Sequence, residues 1–154
     1  MKTTKHQVAV IIPCYNEAEN IAKVIRGFFT ARLAKASFSF DLIVVDNGSS
    51  DKTAEFAALA GARVVSEPRK GKGRAMRAGF NSIKPSAEYV VMIDGDDTYR
   101  PVEVLRMLEP LANNFCDVVV GSRLGGQDKR QCNAFYEPRR QLGIYSLGTN
   151  YLPD

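Results

Sequence analysis

A short apolar run, an abrupt polar stop, then residues at helical spacing: this unit recurs along the chain and constrains its fold more than any other feature. Val8-Ala-Val-Ile-Ile12 stops at Pro13, and Leu42-Ile-Val-Val45 stops at Asp46-Asn-Gly-Ser-Ser-Asp51. Tyr89-Val-Val-Met-Ile93 runs into Asp94-Gly-Asp-Asp97, and Cys116-Asp-Val-Val-Val120 into Gly121-Ser-Arg123. Runs without polar alternation belong to strands covered on both faces, the setting of a parallel sheet. Ala62 to Ser66 is a weaker strand candidate. Between the strands, Ile21, Val24, Ile25 and Phe28 fall on one helical face, and Thr53 to Ala60 is an Ala-rich helix that Gly61 stops. A third helix runs through Met76 and Phe80, and Pro101 opens a fourth carrying Val104, Leu105 and Leu108. Five strands alternating with four helices predict an α/β fold with a mainly parallel sheet and right-handed crossovers.

With 154 residues, 45% of them hydrophobic, the chain can bury one core but not two, so a single domain is expected. No apolar run approaches the roughly 20 residues of a spanning helix, and no signal peptide is expected. Cys14, Cys116 and Cys132 have neither CxxC pairing nor dense spacing, which predicts reduced thiols, no zinc site and a cytoplasmic setting. The formal net charge of +4 is gathered into Arg69, Lys70, Lys72, Arg74 and Arg77, and into Arg123, Lys129, Arg130, Arg139 and Arg140. Most of these side chains read as solvated faces; without interleaved aromatics or a reading motif, nucleic acid is not the expected partner.

In sheets of this kind ligands bind beyond the carboxyl ends of the strands, where this chain gathers its unusual residues. Asp94, Asp96 and Asp97 follow a buried strand, and carboxylates packed so closely repel unless a cation shares them. Oxygen donors without a His or Cys cluster point to Mg2+ or Mn2+; the alternative is a solvated acidic turn that caps the next helix. Lys70-Gly-Lys-Gly73 sets glycines between cations at a helix start, which favours an anion, although neither GxxxxGK(S/T) nor GxGxxG is present. Tyr15, Glu17, Asp46 and Asn47 are candidates for contacts to a base or ribose, whereas Ser50 and Asp51 read as turn and cap residues. His6, the sole histidine, reads as a surface residue, and Cys14 as a bystander without a partner that would make it a nucleophile.

The segments VAVIIPCYNEAENI, LIVVDNGSSDKT, RKGKGRAMRAG, VVMIDGDDTY and VVVGSR, in this order, resemble family 2 glycosyltransferases of the GT-A fold, a three-layer, Rossmann-like architecture. Within that family they are most similar to the dolichyl- and polyprenyl-phosphate sugar synthases of the dolichol-phosphate mannose synthase type. The resemblance runs from about Gln7 to Arg123. It implies that Pro13, Tyr15 and Glu17 contact the nucleotide, that Val45 and Asn47 flank its base, and that Asp94, Gly95 and Asp96 form a metal-binding DxD turn. It further implies that Arg123 meets the diphosphate and that Lys70 and Lys72, with Gly73, lie near the donor phosphates. The family commonly has a second Asp where this chain has Asn47, and many synthases have Gln where it has Thr98.

The implied function is inverting transfer of a sugar from a nucleoside-diphosphate sugar to a polyprenyl or dolichyl phosphate or to a growing glycan, with peripheral contact at the cytoplasmic face of a membrane. An ionised lipid phosphate needs no strong base, whereas a sugar hydroxyl calls for a carboxylate such as Asp97. The catalytic domain is expected to be incomplete after about residue 123, with 124–154 the start of the acceptor- and membrane-proximal segment. Two rival readings are a truncated, non-catalytic nucleotide-binding module or partner subunit, and a phosphatase of the haloacid dehalogenase type, whose DxDxT turn Asp94 to Thr98 imitates.

Overall fold

The computed structural model describes residues 5–30, 33, 36–121 and 144–148. Arg123, Cys132 and the second basic stretch lie outside the described residues. The elements are β1 (His6–Cys14), α1 (Ile21–Gly27), β2 (Phe38–Asp46), α2 (Thr53–Leu59), β3 (Arg63–Ser66) and α3 (Lys72–Asn81). They continue with β4 (Tyr89–Met92), a 3-10 turn (Pro101–Glu103), α4 (Val104–Ala112), β5 (Val118–Gly121) and β6 (Ile144–Gly148).

The sheet order is β3-β2-β1-β4-β6-β5. Strands β3, β2, β1 and β4 are parallel neighbours, with Val10 of β1 opposite Leu42 on one side and Val91 on the other. The predicted parallel α/β sheet is thus present. One strand went unanticipated: β6 lies antiparallel between β4 and β5, so β5 runs in the direction of β4 without pairing to it. The run Cys116 to Val120, expected as one more strand, forms β5 over Val118–Gly121. At the edge of the sheet, Val118 and Val120 are 43% and 56% exposed, and Val119 packs inward.

Alternation along β1 divides the core into two layers. Val8, Val10, Ile12 and Cys14 face one side, where Ile21, Val24 and Ile25 of α1, Ala57 of α2 and Leu108 of α4 cover them. Ala9 and Ile11 face the other side, with Ile43, Val45 and Val90, under Ala75 of α3. The approach of α3 to β1 depends on Gly79, since a Cβ there would stand 2.5 Å from Cγ2 of Ile11. From β1 the chain steps outward through β2 to β3, then crosses back to place β4 on the far side of β1. That reversal opens a crevice beyond the carboxyl ends of β1 and β4.

Candidate active site

The crevice holds a cavity of about 400 Å³ lined by residues of the four parallel strands' exit loops and the start of α3. The first two loops are tied together. Asn16 N–H donates to Ser49 Oγ (3.0 Å), Ser50 N–H to Asn16 Oδ1 (2.8 Å) and Glu17 N–H to Thr53 Oγ1 (2.8 Å). Asp51 accepts from Thr53 N–H at 2.9 Å and from Ala18 N–H at 3.1 Å, a turn residue as expected although the N-cap of α2 is Lys52, and the Thr53 hydroxyl, ahead of these backbone bonds, holds its carboxyl below the usual range. This lacing fixes Pro13, Tyr15 and Glu17 at the mouth of β1.

On the opposite wall, Lys70 Nζ donates to Tyr15 Oη at 2.9 Å and stands 4.7 Å from the ring centroid, a cation–π contact. Lys72 Nζ reaches Asp94 Oδ1 at 2.7 Å. Asp96 Oδ1 accepts from Thr98 N–H at 3.0 Å, which shapes the acidic turn. Gly95 is required where the turn passes the first strand, because a Cβ there would lie 2.5 Å from Cys14 Sγ. Burial pushes the Cys14 thiol well above its ordinary pKa, and the carboxylates of Glu17, Asp46, Asp94 and Asp96 push it further. That thiol is no nucleophile, and its surroundings mark this end of the cavity as rich in negative charge.

Of the site residues read from the sequence, Pro13, Tyr15, Glu17, Asn47, Lys70, Lys72, Asp94, Gly95 and Asp96 line this cavity. Val45, expected beside a base, is fully buried against α3, because alternation along β2 turns it into the second core layer. Asp46 accepts from Ser49 N–H at 3.2 Å at the end of β2, and neither it nor Gly73 is a lining residue. Asp97, expected to share the cation or act as a base, instead adopts a left-handed conformation (φ 60°) and pairs with Lys23 of α1 outside the cavity lining. Arg123 lies outside the described residues. Cys14, expected to be a bystander, Gly71, expected only as part of the anion-favouring loop, and Ala75, not anticipated, line the cavity as well. Gly71 and Ala75 stand one helical turn apart, a spacing that could have paired them on the face carrying the basic loop. His6 pairs with Glu88 at 2.7 Å at the opposite end of β1, in keeping with a surface role.

Among the described residues no three His, Cys, Asp or Glu side chains converge to hold a metal unaided. What the cavity offers is the neighbouring carboxylates of Asp94 and Asp96, with Glu17 also in the lining, beside the cationic side chains of Lys70 and Lys72. This donor set fits Mg2+ or Mn2+, which bind through one or two carboxylates and complete their shell with substrate phosphate and water. Among the same residues no helix is long and apolar enough to cross a membrane.

The sequence is 45% identical over 122 residues to protein RfbJ of Shigella flexneri, an alignment covering 79% of this chain and 89% of RfbJ. Glycosyltransferase AglJ of Haloferax volcanii is 40% identical, with 78% of this chain and 37% of AglJ covered. Undecaprenyl-phosphate 4-deoxy-4-formamido-L-arabinose transferase of Pseudomonas fluorescens is 32% identical, with 80% and 37% covered. Among solved structures, glucosyl-3-phosphoglycerate synthase of Mycobacterium tuberculosis in complex with Mn2+, UDP-glucose and phosphoglyceric acid aligns with a TM-score of 0.68 and 26% identity. That alignment covers 93% of this chain and 57% of the synthase. The chain thus spans most of RfbJ and little more than a third of AglJ and the transferase. The family model for glycosyl transferase family 2 matches residues 9–152, and with the strand exits arranged as described, the chain belongs to that family.

Proposed function

We propose that the cavity binds a nucleoside-diphosphate sugar and that the chain transfers its sugar, with inversion, to a lipid phosphate or a glycan. The carrying observation is the meeting of Asp94 and Asp96 with the Lys70–Lys72 loop in one cavity at the switch point of the sheet. A diphosphate is well matched by carboxylates that can hold a divalent cation together with cationic side chains, and this cavity has both residue types. The M. tuberculosis synthase, solved with Mn2+ and UDP-glucose, supports the donor class, and the undecaprenyl-phosphate transferase supports a lipid-phosphate acceptor.

In this reading Pro13, Tyr15 and Glu17 hold the nucleoside. Asp94 and Asp96 would hold Mg2+ or Mn2+, which when bound would supply positive charge to a diphosphate leaving group. Lys70 and Lys72 stabilise the negative charge of that group, Arg123 joins them, and their effect is greatest where water is excluded. The acceptor oxygen attacks the anomeric carbon from the face opposite the breaking bond to the diphosphate. The engagement of Asp97 by Lys23 favours the lipid-phosphate acceptor, because a phosphate is already ionised and needs no base. Residues 124–154 begin the acceptor- and membrane-proximal part of the domain, which works at the cytoplasmic face of a membrane, and nucleic acid is not a partner.

Calorimetry tests the donor site directly. UDP or GDP binds more tightly with Mn2+ than without it, and Asp94→Asn and Asp96→Asn each lower the Mn2+-dependent part by roughly tenfold or more, as expected for a lost charged contact. A folded chain whose affinity for both nucleotides ignores Mn2+ refutes the proposal.

A further inference from the structure

Asn47 is the first residue beyond β2 and is 6% exposed. Its side-chain amide is spent on the backbone of the loop that delivers the two lysines. Nδ2 donates to the carbonyl of Glu67 at 2.9 Å and to that of Arg69 at 2.9 Å, and Oδ1 accepts from Gly71 N–H at 2.8 Å. The orientation of the amide is set by chemistry, since a carbonyl cannot donate and an N–H cannot accept. Around this clasp the loop is braced further. Glu67 N–H continues the β2–β3 ladder to Asp46 O at 2.9 Å, and Arg69 closes on the Glu67 carboxylate through Nε (2.9 Å) and Nη2 (2.8 Å). Gly48, at φ 72°, passes beneath Pro68, where a Cβ would lie 3.1 Å from the Pro68 carbonyl.

We infer that Asn47 is the positioning residue of the phosphate-binding loop: its amide, and not a carboxylate, sets where Lys70 and Lys72 stand, and it does not read the acceptor groups of a base. Both of its N–H donors are used, so a base acceptor finds no partner in them. An aspartate at this position keeps an acceptor for Gly71 N–H but loses both donors and turns its charge toward two carbonyl oxygens, which is unfavourable in a buried setting. Where the family resemblance leads one to expect Asp, the amide is therefore matched to the course of this chain's own loop. The consequence for ligand affinity rests on the donor-site reading, whereas the clasp itself does not.

Two measurements on Asn47→Asp separate these levels. In the ligand-free protein, backbone amide exchange across residues 67–71 accelerates roughly tenfold or more while exchange in β1 and β2 is unchanged, the loss expected for two buried hydrogen bonds. With Mn2+ present, affinity for whichever of UDP and GDP binds falls roughly tenfold or more, while affinity for the corresponding nucleoside without phosphate holds. Unchanged exchange in the loop overturns the clasp. Equal losses for nucleoside and diphosphate overturn the positioning role and return Asn47 to the base. If the wild type binds neither nucleotide, the donor reading fails, and the exchange experiment still decides the clasp. Should the aspartate prevent folding, Asn47→Ala removes the same two donated bonds and the Gly71 bond as well, without adding charge, and the same two measurements are read on it.

Discussion

Lys72 and Asp94 meet at 2.7 Å on the cavity wall, with the lysine side chain 52% and the aspartate 20% exposed. The ammonium therefore occupies one flank of the carboxylate that a divalent cation would approach, and the two cations compete for it. Once a diphosphate is present the competition turns to cooperation, because the lysine gains a phosphate partner. Lys72→Met is accordingly expected to strengthen Mn2+ binding to the nucleotide-free protein and to weaken UDP or GDP binding at saturating Mn2+. For so exposed a pair each change is a few-fold, in line with the roughly 0.2–1 kcal/mol of screened ion pairs. Mn2+ titration followed by electron paramagnetic resonance measures the first change and calorimetry the second. A variant that binds Mn2+ no better than the wild type contradicts the competition.

The junction of α3 with β1 decides how closely the basic loop comes to the acidic turn, and Gly79 sets it. A methyl at that position meets Ile11 Cγ2 at 2.5 Å and Val45 Cγ2 at 3.2 Å, whereas one at Gly73 in the same helix meets nothing within 4 Å. Ala gains about 1 kcal/mol of helix propensity at either site, and overpacking a core costs about 1–3 kcal/mol. Urea unfolding should show Gly73→Ala stabilised by up to about 1 kcal/mol and Gly79→Ala destabilised by about 1 kcal/mol. Equal shifts of the two variants would mean that α3 does not rest on β1 as described. Such packing was beyond the reach of the sequence, although the strands themselves were not: β1, β2 and β4 announce themselves as unbroken apolar runs that end at turn residues. β6 carries no such signal, since Ile144-Tyr-Ser-Leu-Gly148 is short and mixed, and its pairing partner in β5 lies beyond a long intervening segment. The site was legible where chemistry is local, as in the carboxylates of Asp94 and Asp96 and the lysines of the loop. It was not legible where chemistry depends on partners distant in sequence. The contact of Asp97 with Lys23 joins residues 74 positions apart, and the clasp of Asn47 reaches across 20 to 24.

Across the whole molecule, carboxylates with lowered pKa values stand at separate joints of the fold. Glu67, bonded to Arg69, is brought from the ordinary 4.5 to about 2; Asp51 is lowered by Thr53, and Glu88 at the opposite end of the sheet by His6. Burial raises Asp41, but its hydrogen bond and charge contact with Arg63, together with Lys84, outweigh this and leave it lowered. Each group binds a proton more readily in the unfolded chain than in the folded one. Stability from these groups is therefore complete above their unfolded values and is lost as pH falls through the folded ones. For Glu67 that window runs from 4.5 down to about 2. Urea midpoints measured from pH 7 downward should hold level until about pH 5 and then decline. Glu67→Gln should lower the midpoint at neutral pH and flatten part of the decline, because glutamine cannot bind a proton in this range. Since the Glu67 carboxylate also braces the loop held by Asn47, amide exchange at residues 67–71 should quicken over the same interval before the sheet itself opens. A wild-type midpoint that stays constant from pH 5 to 2.5 would show that these contacts contribute nothing to the folded state.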